Sequence, residues 1–83
     1  MNYPILVHVT LRAGIADPEA ATIERALPAL GFSGVSHLRT GKTFRFELAA
    51  SDEASALERA TAMAERLLSN PVIESADVRL GTL

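Results

Sequence analysis

The 83-residue sequence contains no cysteine and only two histidines, which removes two common means of stabilising a small domain. Without cysteine the chain has no disulfide, and His8 and His37 fall on different predicted strands with no cluster of carboxylates to complete a metal site. A domain of this length buries only about 60–65% of the surface that its unfolded chain exposes. Association with other chains is the remaining source of stability, so we expect a homodimer or a homotetramer that binds no metal.

Long apolar runs and an excess of one charge are also missing. The net charge is −2 with both signs interspersed, which gives no electrostatic footprint for nucleic acid. No segment approaches the ~20 apolar residues of a membrane span. The N-terminal stretch MNYPILVHVTLRAG has no basic region, and its apolar residues alternate, so no signal peptide is expected. Since the absence of cysteine also suits a reducing compartment, we expect a cytoplasmic protein that binds neither nucleic acid nor membrane.

The spacing of the apolar residues predicts four strands. Alternation of apolar and polar residues indicates strands over 3–12, 35–40, 42–49 and 72–80. The second and third of these would form a hairpin whose turn lies at Thr40-Gly41, with Gly41 supplying a positive φ.

Two helices are predicted between these strands. The first begins at Asp17-Pro18-Glu19, where an N-cap acceptor precedes a proline and an acidic residue, and Pro28 should tighten its last turn before Gly31. Its apolar stripe comprises Ile23, Ala26, Leu27 and Leu30. The second helix spans 52–69, capped by Ser51 or Asp52 and ended by Asn70-Pro71. Its stripe comprises Leu57, Ala60, Ala64, Leu67 and Leu68.

The order β-α-β-β-α-β predicts a single α+β domain over residues 1–83. Its favoured architecture is a four-stranded antiparallel sheet with both helices on one face, the ferredoxin-like arrangement. The other face would carry residues such as Leu6, His8, Arg45 and Glu47. A sheet-to-sheet or edge-to-edge dimer is the simplest cover for that face.

Gly41-Lys42-Thr43 resembles the end of a nucleotide-binding P-loop, but the rest of that motif is missing. A P-loop needs a glycine five positions earlier, where this chain has Ser36, and Gly34 lies two positions too early. The residues after Lys42 also alternate as in a strand, whereas a P-loop opens a helix. We therefore expect no nucleotide or other cofactor to be bound here, and the role of Arg39 and Lys42 stays open.

Three activities known for this topology find little support in the residues. An acylphosphatase would need a glycine-rich, arginine-containing loop after the first strand, where only Arg12 and Gly14 are present. An RNA-binding sheet would expose aromatics for stacking, but Phe44 and Phe46 fit a core better. A regulatory module for a small molecule would need a ligand loop, at which only residues 12–14 hint. We find no nucleophile paired with a base, so no catalytic residue is expected in this chain.

A set of landmarks along nearly the whole chain resembles the PurS subunit of phosphoribosylformylglycinamidine synthase, an enzyme of purine biosynthesis. The landmarks, in order, are Leu11, Gly14, Asp17-Pro18, Ala26-Leu27, Leu30-Gly31-Phe32, Val35, Arg39, Gly41-Lys42, Leu67-Leu68 and Asn70-Pro71-Val72-Ile73-Glu74. The resemblance implies a non-catalytic subunit that bridges a glutaminase, PurQ, and an ATP-dependent synthetase, PurL, and helps ammonia pass between them. The small-molecule regulatory module is the alternative function.

The resemblance leads to a hypothesis about which residues meet these partners. Arg and Lys beside a tight turn suit contact with acidic surfaces, so we expect Arg39, Gly41 and Lys42 to face a partner. The second expected contact segment comprises Asn70, Pro71, Val72, Ile73 and Glu74, although Asn70-Pro71 also serves simply as a helix stop. The chain departs from the family where Glu19-Ala20 replaces the usual Gln-Gly, and Pro28 is unusual.

Overall fold

A computed structural model describes residues 1–81 of the chain, and these residues form three strands and two helices. The elements in chain order are β1 (Asn2–Leu11), α1 (Pro18–Ala26), β2 (Gly41–Ala49), α2 (Glu53–Met63) and β3 (Glu74–Leu80). A 3₁₀ turn, Pro28–Leu30, follows α1, and a π-helical turn, Ala64–Leu68, continues α2.

The strands form one antiparallel sheet in the order β2-β1-β3. In the centre of the sheet Val7 of β1 lies opposite Phe44 of β2 on one side and Val78 of β3 on the other. Three of the four predicted strands are therefore present, with boundaries within two residues of those expected.

The predicted four-stranded ferredoxin-like sheet is wrong, because residues 35–40 form no strand. Gly34 and His37 have φ values of 88° and 58°, which interrupt an extended chain. The backbone of this segment is bonded to α1 and its cap: Leu38 N–H donates to Glu24 Oε1 at 3.2 Å and Thr40 N–H to Asp17 Oδ2 at 2.9 Å. These backbone N–H groups therefore donate to side chains of α1 and its cap, and not to the carbonyl groups of a neighbouring strand.

The expectation that Gly41 turns the chain with a positive φ is also wrong. Gly41 is the first residue of β2, paired with Thr10 of β1. A Cβ at this position would lie 3.0 Å from the Val9 carbonyl oxygen and 3.1 Å from Thr10 Cγ2. Glycine suits this position because a larger residue would crowd the neighbouring strand.

The core is an alanine stripe packed on the central strand. Ile5, Val7 and Val9 are large, fully buried side chains, and α2 with the π-helical turn that continues it covers them with alanines four residues apart. These alanines are Ala56, Ala60 and Ala64. Small side chains let the helix axis approach the sheet. Phe44 and Phe46 pack against this core as expected.

The predicted stripe of the second helix is confirmed at Ala60, Ala64 and Leu68 but is wrong at Leu67. Leu67 is 82% exposed. The cause is the π-helical turn, in which the N–H and the hydroxyl of Ser69 both donate to the Ala64 carbonyl. A wider turn rotates the following side chains away from the direction that α-helical spacing predicts.

The prediction that both helices lie on one sheet face is wrong as well. Within residues 1–81, the main contacts of α1 with another element are to the 3₁₀ turn that continues it, and Ala20 is its one fully buried residue. The predicted tightening at Pro28 is confirmed, and Gly31 ends the turn with φ 92°. Residues 18–35, called the arm below, therefore project from the sheet after their first turn.

We expect Ala60→Leu to lower the free energy of unfolding by about 1–3 kcal/mol, because the added atoms meet the closely packed central strand. Ala54→Leu makes the same change at an exposed position of α2 and should stay within about 0.5 kcal/mol of the native chain. Urea denaturation at one fixed protein concentration measures both. Equal effects of the two substitutions would contradict this packing.

Candidate functional site

A cleft of about 620 Å³ opens at the C-terminal end of β1. Val9 and Leu11 of β1 form its floor. Its walls come from the start of α1, the start of β2 and the start of β3, and comprise Asp17, Pro18, Glu19, Thr40, Gly41, Lys42 and Glu74. The cleft therefore collects several of the residues that the sequence predicted as partner contacts.

Lys42 and Glu74 meet across the central strand. Lys42 Nζ lies 4.0 Å from Glu74 Oε2 and 5.8 Å from the centre of the Phe44 ring. Because Lys42 remains largely exposed, this ion pair adds at most about 1 kcal/mol to stability. The ion pair instead holds the two predicted contact segments, at Lys42 and at residues 70–74, next to each other.

Residues 70–74 form a turn whose backbone is bonded within the chain. The Asn70 carbonyl accepts from the N–H groups of Ile73 and Glu74, and Asn70 Oδ1 accepts from Val72 N–H at 3.1 Å. Glu74 Oε1 in turn accepts from Asn70 N–H at 2.7 Å. The predicted helix stop is thus confirmed.

The same turn is also tied to the end of β1 by Arg12. Arg12 Nε donates to the Pro71 carbonyl at 2.9 Å, and the Arg12 N–H to the Ile73 carbonyl at 2.8 Å. Val72 at the turn is 81% exposed. The turn therefore presents an apolar side chain on an anchored backbone.

Arg39 lies apart from the Lys42–Glu74 pair. Its Nη2 donates to the Ile15 carbonyl at 3.2 Å, in the loop that leads into α1. The structure thus brings Lys42 and the 70–74 turn together but places Arg39 beside the start of the arm.

Sequence reasoning missed the second role of Asp17. It identified the carboxylate as the cap of α1, and the Ala20 N–H does donate to Oδ1 at 3.0 Å. The Thr40 N–H and hydroxyl also donate to Oδ2, at 2.9 and 3.0 Å. No local signal marks this contact, because Thr40 lies 23 positions away in the chain.

These bonds favour the ionised form of Asp17. The N–H of Thr40, followed by the N–H of Ala20, holds the pKa of Asp17 below its ordinary value. Burial raises this pKa, but by less than either backbone bond lowers it, and the Thr40 hydroxyl and the nearby charge of Arg39 lower the pKa by smaller amounts.

The cleft carries side chains of both charges. Asp17, Glu19 and Glu74 contribute carboxylates and Lys42 an ammonium group. Among residues 1–81, no three histidine, aspartate or glutamate side chains are placed as a metal site requires. No helix in the same part of the chain is both long and apolar enough to cross a bilayer.

Comparison with known proteins gives one consistent family. The family model described as PurS, phosphoribosylformylglycinamidine (FGAM) synthase, matches residues 5–82. The phosphoribosylformylglycinamidine synthase subunit PurS of Mycobacterium leprae is 49% identical over 83% of this chain and 84% of its own length. The same subunit of Synechocystis is 39% identical over 89% of this chain and 74% of its own length.

The structure has a close counterpart as well. A chain in the solved structure of PurLQS from Thermotoga maritima is 33% identical, and its TM-score is 0.90 over 98% of this chain and 99% of that one. Both the sequence and the three-stranded fold are therefore those of one family over almost the whole chain.

Asp17→Asn keeps one oxygen for Ala20 but loses an acceptor for Thr40, so we expect a lower Tm at pH 7. Asp52→Asn is the matched control, because Asp52 Oδ1 accepts from Ser55 N–H and an asparagine caps a helix equally well. Thermal unfolding followed by circular dichroism should show the larger loss for Asp17→Asn.

The loss of Tm in Asp17→Asn should become smaller as the pH falls. Because the folded pKa of Asp17 is lowered, its ionised carboxylate stabilises the fold above the unfolded pKa of about 4. That stabilisation disappears as the pH falls through the folded pKa. The difference in Tm between the native chain and Asp17→Asn should shrink below about pH 4, and a constant difference from pH 7 to pH 3 would argue against it.

Proposed function

The chain belongs to the PurS family of phosphoribosylformylglycinamidine synthase subunits, and we propose that it is the assembly subunit of such a synthase in purine biosynthesis. It bridges a PurQ-type glutaminase and a PurL-type ATP-dependent synthetase and supports ammonia transfer between them, without catalytic residues of its own. It acts in the cytoplasm as a homodimer or homotetramer, with residues 1–83 as one domain. The observation that carries the proposal is the similarity, over 98% of this chain, to a chain of the PurLQS structure.

We place the partner contacts on a surface made of Leu67, Lys42 and residues 70–74, called the turn surface below. Leu67 and Val72 are more than four-fifths exposed, and the backbone beneath Val72 is anchored by Arg12 and Asn70. Exposed apolar side chains on an ordered turn cost little entropy when a partner covers them. Lys42 and Glu74 supply charges of both signs at the rim.

Arg39 and Gly41 complete the proposed contacts in different ways. Arg39 is exposed and lies where the arm meets the sheet, so its charge is available to an acidic partner. Gly41 serves by letting β2 start close to β1, which sets the position of Lys42 beside it.

The regulatory module for a small molecule has less support. Its ligand loop would lie at residues 12–14, but the Arg12 side chain donates to the Pro71 carbonyl and its N–H to the Ile73 carbonyl. The groups that would hold a ligand therefore hold the turn surface instead.

The double substitution Arg39→Glu with Lys42→Glu should weaken assembly with the glutaminase and the synthetase while leaving the isolated chain folded. It removes two positive charges from the proposed contact and places a carboxylate beside Glu74. Light scattering of the three purified proteins, mixed with ATP and glutamine, measures the assembly, and circular dichroism the fold.

Arg45→Glu with Arg79→Glu is the matched control, since it makes the same change of charge at two exposed positions on the open sheet face. It should leave assembly with the partners intact. If the Arg39/Lys42 variant assembles as well as the native chain, the proposed contacts are wrong.

A further inference from the structure

In the part of the chain that the structure describes, the outer edge of β3 has no neighbouring strand. In an antiparallel pair, residues whose backbone groups bond to the neighbouring strand alternate with residues whose backbone groups point away from it. At one end of the β1–β3 pair, the Arg12 N–H donates to the Ile73 carbonyl at 2.8 Å. At the other end, the Gly81 N–H donates to the Pro4 carbonyl at 3.2 Å. Both bonds belong to the same register, so they fix which residues of β3 bond to β1.

The alternation divides the residues of β3 into two sets. Ser75, Asp77 and Arg79 bond to β1. Ala76 and Val78 direct their N–H and carbonyl groups away from the sheet, and within residues 1–81 no other strand or loop bonds to them. An unpaired edge of this kind is a template for a strand from another chain.

A groove of about 270 Å³ lies along the same edge, between β3 and the helical residues that cover the sheet. Ala64, Ala76 and Val78 form its apolar lining, and Thr61 and Glu65 line it from the helix side. The side chains of an added strand would point alternately to the two faces of the sheet, so every second one would enter this groove. The edge therefore offers backbone groups and a place for apolar side chains together.

The edge of β2 is less suited to an added strand. The Met1 ammonium donates to the Ala50 carbonyl and the Ala50 N–H to the Met1 carbonyl, so the odd-numbered residues of β2 point away from β1. These include Arg45 and Glu47, and charged residues discourage pairing at an edge. The outward carbonyl of Ala49 also accepts already from an arginine side chain of α2. At the edge of β3, by contrast, the outward residues between its ends are apolar.

We propose that the edge of β3 receives an extended segment of one of the two enzyme subunits, which pairs with the outward groups of Ala76 and Val78 and places apolar side chains in the groove. β3 begins at Glu74, the last residue of the turn surface, and Pro71 and Glu74 line the groove as well. A subunit seated on the turn surface therefore reaches the edge without a gap. Main-chain bonds of this kind supply affinity, and pockets for alternate side chains supply specificity. The inference rests on the proposed function and deepens it by giving the chemistry of the segment that the partner contributes.

Amide hydrogen exchange tests the pairing directly. The chain, alone or assembled with the glutaminase and the synthetase, is placed in D₂O, quenched and read residue by residue by mass spectrometry with electron-transfer fragmentation. In the isolated chain the N–H groups of Ala76 and Val78 should exchange fast, whereas that of Asp77, which bonds to β1, should exchange slowly. Assembly should slow the exchange of Ala76 and Val78 by about 10-fold or more and leave that of Asp77 slow.

The outcomes separate the inference from the proposed function. If the subunits assemble with the chain while Ala76 and Val78 still exchange fast, the inference is overturned and the proposed function stands. If the native chain does not assemble with the subunits, both are overturned. Slow exchange of Ala76 and Val78 in the isolated chain would show that a second copy occupies the edge, which also overturns the inference.

Proline substitution gives an independent test. Ala76→Pro removes one outward N–H and sets its ring in the path of the added strand, while the bonds of β3 to β1 remain. Its assembly with the enzyme subunits, measured by light scattering, should weaken by about 10-fold or more. Ala49→Pro makes the same change at the outward edge of β2 and should leave assembly intact. Equal losses in the two variants would overturn the inference.

A second substitution covers the case in which Ala76→Pro fails to fold. Thr61→Trp fills the groove from the helix side without changing the backbone of β3, and Ala54→Trp adds the same bulk at an exposed position of α2 outside the groove. Thr61→Trp should weaken assembly with the enzyme subunits, and Ala54→Trp should not. Unchanged assembly in Thr61→Trp would overturn the inference, because the side chains of an added strand could not then occupy the groove.

Discussion

The carboxylate of Asp17 connects the parts of the structure on which function depends. One side of it begins α1 through the Ala20 N–H, and the other accepts from Thr40 immediately before β2. One side chain therefore joins the start of the arm to the residue before β2, and the same side chain forms part of the cleft wall. Together with Glu24, which accepts from Leu38 N–H, Asp17 holds residues 38–40 beside α1.

The two helices use their apolar residues for different purposes. α2 contributes alanines that allow close contact with Ile5, Val7 and Val9, and this small core is complete within one chain. The larger apolar residues of the arm, Ile23 in α1 and Leu30 and Phe32 after it, are exposed. A chain of 83 residues with so small a core gains stability when other copies cover such surface. Exposed apolar surface of this kind also suits an assembly subunit, which acts by contacting other chains.

The sequence predicted the elements with local signals and failed where distant contacts decide. Asp17-Pro18, Pro28 and Asn70-Pro71 marked helix ends correctly, because capping and proline act through neighbouring atoms. Alternation predicts a strand over 35–40, and this prediction is wrong because the backbone partners of the segment, Glu24 and Asp17, lie on and beside a helix earlier in the chain. The same limit hid the meeting of Lys42 with Glu74, 32 positions apart, whereas the family could be identified from ordered landmarks over the whole chain.

The central proposal is that this chain couples a glutaminase and a synthetase. The most direct test is the rate of the synthetase reaction with its glutaminase partner, measured with glutamine and separately with ammonia, in the presence and absence of this chain. The account predicts that the glutamine-driven rate depends on the chain, while the ammonia-driven rate of the synthetase does not. A glutamine-driven rate that is the same without the chain would contradict it.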